Sequence, residues 1–291
     1  MSFKRLSCCL LPLLLLVSLC ASATPAPLRV MSFNVRTPAD TEPGRRWEDR
    51  RDAMVEVIMQ ARPAVMGTQE LTPVQAAYLA AHLPGYQWFG RGRRGGDDDE
   101  HMGVFYDSKA LALVEHGDFW LSDTPDVPGS ITWGHPYPRM VTWGLFERRS
   151  DGRSFYLFNT HLPYQPQDEP ARVRGARLLL QRIAALPATV PVVLTGDFNA
   201  EPGSDTWATL TAALRDARGG AAKVEGPRLT FQDFGGPERR QLDWILLRGL
   251  QPLRFATIDA RPHGLWPSDH YPVLADLGFA ETLTGTTPAG R

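Results

Sequence analysis

Short polar motifs recur where apolar runs of this chain end. Ser32-Phe33-Asn34 closes the first run and Gly67-Thr68-Gln69-Glu70 the second. Asn159-Thr160-His161 and Gly196-Asp197-Phe198-Asn199 close two later ones, Asp243 opens the run Gln241–Leu247, and Asp269-His270 precedes the last. Hydrolysis of a phosphate ester needs such groups. Carboxylate and amide oxygens suit a hard cation such as Mg²⁺, with Mn²⁺ or Ca²⁺ as alternatives. A carboxylate or imidazole must orient and deprotonate water, and further donors must meet the charge that develops on phosphorus. Taken singly, each motif is ambiguous. Asp197-Phe198-Asn199 also reads as a turn, Glu70 as a helix-entry residue, Asn34 as an Asx turn, His161 as a half-buried histidine and Asp269-His270 as a turn cap. Asp243 resists a purely structural reading, because a buried carboxylate needs a partner. Their joint occurrence in this order points to chemistry.

The elements that must hold these groups follow from periodicity. Strands are expected at Leu28–Phe33, Ala64–Met66, Val104–Tyr106, Val141–Phe146, Phe155–Asn159 and Val192–Leu194, then at Gln241–Leu247, Arg254–Ile258 and Tyr271–Leu277. Helices are expected at Trp47–Ala61, Pro73–Leu83, Ala171–Leu186 and Ser204–Leu214. Many short strands with few helices indicate an α/β sandwich: two sheets face to face, helices outside. If the late strands run antiparallel to the early ones, all the polar groups emerge on one rim.

Residues 1–23 read as a cleaved secretory signal and 24–291 as the folded domain. Lys4 and Arg5 precede an apolar stretch too short for a membrane span, and Ala21-Ser22-Ala23 supplies a cleavage site. The expected location is secreted or periplasmic, and no other apolar run is long enough to span a membrane. Cys8, Cys9 and Cys20 all lie in that leader, so the mature chain has no disulfide and depends on its core. The formal net charge is −1, which argues against a nonspecific nuclease with a broad basic groove. A monomer is expected.

The motifs resemble those of the endonuclease/exonuclease/phosphatase superfamily over about residues 28–278. That group includes pancreatic-type deoxyribonuclease, abasic-site endonucleases, inositol polyphosphate phosphatases, bacterial sphingomyelinases and nocturnin-like hydrolases. Trp47-Glu48-Asp49-Arg50-Arg51 is similar to a helix of its exported bacterial members. The resemblance implies a four-layer α/β sandwich of two mixed sheets flanked by helices, acting as a divalent-metal-dependent phosphoesterase. It implies Glu70 as principal metal ligand with Asn34 and Asp269 beside it. It implies Asp197 as the group that positions or deprotonates water, and Asn199 as a phosphate or water donor. His270, oriented by Asp243, assists at the phosphate, and His161 stabilises the transition state. The chain departs from the pattern at Pro163, where many members have an acid, and at Arg36, where some nucleases do.

Nucleic acid, a phospholipid head group and a sugar phosphate remain open as substrates. Arg139 is a candidate phosphate-binding residue. Glu100 and His101, beside the Gly/Asp-rich stretch Gly92–Glu100, face either the cleft or solvent. Trp120, Trp133 and Trp143 are candidates for stacking or for core. Two other readings are weighed: a catalytically inactive binding module on the same scaffold, and a Ca²⁺ site in Asp97–Glu100. The first is disfavoured because all the carboxylates are present. The second is disfavoured because the run lacks alternating ligand spacing.

Overall fold

The computed structural model describes residues 26–279; the expected leader and the last twelve residues lie outside them. The elements in chain order are β1 (Leu28–Asn34), α1 (Trp47–Ala61), β2 (Val65–Gln69), α2 (Pro73–His82), β3 (Tyr86–Phe89), β4 (Val104–Asp107), β5 (Leu111–Trp120), β6 (Met140–Arg148) and β7 (Ser154–His161). Then follow α3 (Glu169–Ala184), β8 (Val192–Asp197), α4 (Asp205–Thr211), β9 (Arg215–Asp216), α5 (Ala217–Gly220), β10 (Lys223–Glu225), β11 (Asp243–Arg248), β12 (Leu250–Thr257) and β13 (Val273–Phe279).

The strands form a seven-stranded sheet, β10-β12-β13-β1-β2-β4-β3, and a six-stranded sheet, β5-β6-β7-β8-β11-β9. Strand alternation explains how the layers separate. Leu28, Val30, Val65, Leu157, Val193, Ile245 and Ala275 point between the sheets and form one core. Their neighbours Met31, Phe33 and Met66 point outward, where Met54 and Ile58 of α1 and Ala76 and Leu79 of α2 cover them. On the other side Val192, Leu194, Trp244 and Leu246 meet Ala176, Leu179 and Ile183 of α3 and Leu210 of α4. The result is the expected four-layer sandwich of two mixed sheets flanked by helices.

The central strands settle the rim. β1 and β2 are parallel, as are β7 and β8. β13 runs antiparallel to β1, and β11 antiparallel to β8. The C-terminal ends of the early strands therefore lie beside the N-terminal ends of the late ones. The close approach of the sheets requires a glycine in β2. A Cβ on Gly67 would lie 2.3 Å from Thr195 Oγ1 and 2.5 Å from Asn159 Oδ1.

Strand ends differ in detail from the sequence expectation. β3, β5, β9 and β10 were not foreseen, α4 is shorter than Ser204–Leu214, and the last strand begins at Val273 rather than Tyr271. β5 hides its pattern because a bulge between Leu113 and Glu115 shifts its register, and its middle is polar.

Candidate active site

The alternation that builds the core also aims the site. Ser32, Asn159, Thr195 and Gln69 continue the inward-facing rows and form a polar layer above the apolar core. Gln69 Nε2 donates across the sheets to Asn159 Oδ1 at 2.7 Å and, within its own sheet, to Ser32 Oγ at 3.2 Å. Asn159 Nδ2 donates to the Thr68 carbonyl at 2.7 Å, and Thr195 Oγ1 to Asn159 Oδ1 at 3.1 Å. The next inward positions, Asn34, His161, Asp197 and Asp243, are the functional candidates, and all are buried.

Glu70 breaks the alternation. One residue after Gln69 it would point toward the helices, but its backbone is left-handed at φ 59°, which returns the carboxylate to the rim. Arg36 and Asn199 adopt the same conformation just past β1 and β8, at φ 52° and 48°. For non-glycine residues this costs about 1–3 kcal/mol each. Strain that gathers at three strand exits on one rim marks a functional site.

Asn34 ties the two sheets together there. Its Nδ2 donates to Glu70 Oε1 at 3.0 Å and to Asp197 Oδ2 at 2.9 Å, while its Oδ1 accepts from the Arg36 N–H at 3.0 Å. The Thr37 N–H donates to Glu70 Oε2 at 3.0 Å. Ser268 Oγ donates to the Asn34 carbonyl at 2.7 Å and holds Asp269 beside Asn34; Arg36 lies 3.6 Å from Asp269. One buried side chain fixes these loops. The Arg50 guanidinium, from α1, donates to the carbonyls of Val35, Arg36, Thr37, Arg45 and Pro267 at 2.6–3.0 Å. The Trp-x-x-Arg-Arg helix therefore serves the site as a clamp on both ligand-bearing loops.

On the other side His270 Nδ1 lies 2.8 Å from Asp243 Oδ2, and its Nε2 lies 3.7 Å from Asp197 Oδ2. Burial opposes a charge on this ring, but Asp243 and Asp197 outweigh it and raise the pKa to about 10. His270 is thus an imidazolium. His161 is the opposite case: burial, reinforced by Arg139 and His270, holds it well below the usual histidine range. Asn199 Nδ2 donates to its Nε2 at 3.0 Å, so the proton of the neutral ring sits on Nδ1, a buried atom with no partner. Asn199 is further held by the Leu162 carbonyl at 3.0 Å, and its N–H caps Asp197 Oδ1 at 3.0 Å.

The remaining wall comes from irregular segments. The cavity is about 370 Å³ and is lined by Arg36, Glu70, His161, Asp197, Asn199, Asp269 and His270, together with Arg93, Glu100, Tyr137, Arg139, Tyr164, Phe231 and Arg240. Asp243 lies behind His270, and Asn34 behind Glu70 and Asp197. The catalytic, metal and phosphate-binding candidates named from the sequence are therefore all in or directly behind one cavity. Arg139 is buried and its Nη1 has no hydrogen-bond partner. Glu100 faces the cleft, whereas His101 is buried under the loop. Trp120 is core, donating to the Arg93 carbonyl at 2.6 Å, and Trp133 and Trp143 do not line the cavity. The aromatics that do, Tyr137, Tyr164 and Phe231, sit in loops with no periodic signature.

The acids of this cavity are costly to ionise because they are buried. Burial, with His270 opposing and Asp243 adding, raises Asp197 to about 7. Burial and the nearby Glu70 raise Glu100 to about 7, and burial raises Asp269. Burial also opposes ionisation of Glu70, but Arg36, the Thr37 N–H and Asn34 hold it below the usual range. A divalent cation beside them would favour their ionised forms, and oxygen donors suit a hard ion. The set Asp197, Asp243 and His270 has ligand atoms within 4.8 Å of one another, yet His270 is already bonded to Asp243 and cationic. Glu70 and Asp269 are the other oxygen donors on the same cavity wall. Asn34 would join them only with its amide turned over, since Nδ2 now faces the acids.

Fold and site together define a phosphoester hydrolase scaffold. The model of the Endonuclease/Exonuclease/phosphatase family matches residues 31–270, and the chain belongs to that family. Among solved structures, an endonuclease/exonuclease/phosphatase from Bacteroides vulgatus is 30% identical with a TM-score of 0.83, covering 88% of this chain and 100% of that one. A mannosyl-6-phosphatase from Bacteroides thetaiotaomicron is also 30% identical, with a TM-score of 0.80 over 87% of this chain and 100% of that one. Human nocturnin is 25% identical over 91% of this chain and 68% of its own length. Two mimivirus proteins match at 28% and 24% identity over 54% and 78% of this chain; the chain spans 60% and 40% of their lengths.

Proposed function

We propose that this chain is an exported, monomeric, divalent-metal-dependent phosphoesterase that hydrolyses a small phosphomonoester of the sugar phosphate type. The observation that carries the reading is the convergence of Glu70, Asp197 and the Asp243-held His270 on one cavity of about 370 Å³. That volume suits a small molecule. The likeness to a mannosyl-6-phosphatase supports the same substrate class.

In this reading Glu70 and Asp269 would hold the ion, which would supply charge neutralisation at the phosphoryl oxygens. Asp197 orients the attacking water and takes its proton. A carboxyl raised to about 7 is well matched to that task at neutral pH. The His270 imidazolium, 3.7 Å from Asp197 Oδ2, meets the charge that develops on phosphorus. Arg139, buried and incompletely bonded, takes a phosphate oxygen. His161 is neutral and accepts from Asn199, whose second amide proton goes to the Leu162 carbonyl, so its part is to fix the Asn199 side chain in the cavity wall and not to act as a second cation. Export rests on the pattern of residues 1–23; amino-terminal sequencing of the exported protein should read Thr24 first.

The purified domain should be assayed against plasmid DNA, RNA, bis-p-nitrophenyl phosphate, sphingomyelin and hexose phosphates, each with Mg²⁺, Mn²⁺, Ca²⁺ and chelator. Phosphate release from a hexose phosphate that chelator stops supports the reading. Cleavage of macromolecules alone, or activity indifferent to chelator, overturns it.

A further inference from the structure

The stretch Gly92–Glu100 is built as a wall. Arg93 is buried and pairs with Asp99 at 3.0 Å and Glu100 at 2.9 Å. Its guanidinium stacks under Tyr137 at 4.5 Å from the ring centre, and its N–H donates to the Glu100 carbonyl at 2.8 Å. A Cβ on Gly95 would lie 2.6 Å from Pro128, so the loop is also seated tightly on the segment facing it. Glu100 is thereby fixed in the cavity lining.

This arrangement is chemically odd for a site that receives a phosphate. Arg93 is committed to two carboxylates, which leaves Arg139, Arg240 and the ion-binding rim for the anion. Glu100 is an acid fixed in the lining of the same cavity, within reach of parts of a substrate other than its phosphate. It repels a second phosphate and accepts hydrogen bonds from hydroxyl groups.

We propose that Glu100, positioned by Arg93, selects the alcohol half of the substrate, favouring a neutral polyhydroxylated ester and rejecting a substrate with a second phosphate. This rests on the phosphomonoesterase reading and names the feature of the substrate it reads. The test is competition, in the Mg²⁺-loaded protein, of a hexose 6-phosphate and a hexose 1,6-bisphosphate against hydrolysis of a chromogenic phosphomonoester, which gives the affinity for each. The wild type should bind the monophosphate about 10-fold more tightly or better, a discrimination typical of one like-charge contact. Glu100→Gln should weaken the monophosphate and strengthen the bisphosphate. A general loosening of the loop cannot move two affinities in opposite directions. An unchanged ratio in the variant, or a wild-type preference for the bisphosphate, overturns the proposal. If neither protein binds either ligand, the phosphate-ester reading itself fails, and this assignment with it.

Discussion

Asp243 and Asp197 are direct partners across the antiparallel pair β8 and β11, and His270 connects them. Its Nδ1 is 2.8 Å from Asp243, and its Nε2 is 3.7 Å from Asp197. Two buried carboxyls facing each other repel, and an imidazolium set against both removes that cost. The same contact fixes which ring nitrogen faces the substrate. The pair is therefore a structural and a chemical unit.

The His270 charge should be visible directly. Nitrogen NMR of the metal-free protein should show a His270 imidazolium at pH 8, titrating near the raised value of about 10. In Asp243→Asn the transition should fall toward the ordinary histidine range. The folded pKa is raised above the unfolded one, so the stability from this charge is complete below about pH 6.5. It is lost as pH rises through about 10. Urea midpoints should fall from pH 8 to 10.5, and less so in Asp243→Asn.

Asp197→Ala and His270→Ala should each lower kcat by about 10²- to 10⁴-fold, the range for a positioned acid–base group. Both should remain folded by circular dichroism. Full activity in either variant would remove it from the mechanism.

Arg50→Ala should be among the more damaging substitutions outside the cavity. It leaves five carbonyl contacts of a fully buried guanidinium unmade. The expected loss is about 3 kcal/mol or more in urea unfolding. Arg50→Lys should rescue little, because an ammonium cannot span carbonyls on both loops.

Metal binding should release protons. With Asp197 and Glu100 raised to about 7, an added divalent ion should drive carboxyls to ionise near neutral pH. The calorimetric heat of Mg²⁺ or Mn²⁺ binding should then depend on the ionisation enthalpy of the buffer. Binding should also raise Tm, and Glu70→Gln should abolish both effects.

Much of this site was legible because regular strands deliver it. A strand that ends in Asn34, His161 or Asp197 announces its polar terminus, and alternation then fixes the side each group faces. The antiparallel return that brings Asp243 and His270 to the same rim was inferred from their place before late strands. Glu70 was legible as a residue type, but its inward turn depends on one left-handed backbone angle that alternation does not foretell. Glu100 was open between cleft and solvent, because a Gly/Asp-rich run reads as a loop. The Arg93 ion pairs that stiffen it are tertiary. Tyr137, Phe231 and Arg240 reach the cavity from irregular segments and leave no periodic trace.

The account turns on where a divalent ion sits. Crystals grown with Mn²⁺ should give one strong anomalous peak inside the cavity, coordinated by Glu70 and Asp269, with His270 still bonded to Asp243. A peak ligated by Asp197, Asp243 and His270, or none in an enzyme that is active with Mn²⁺, would contradict it.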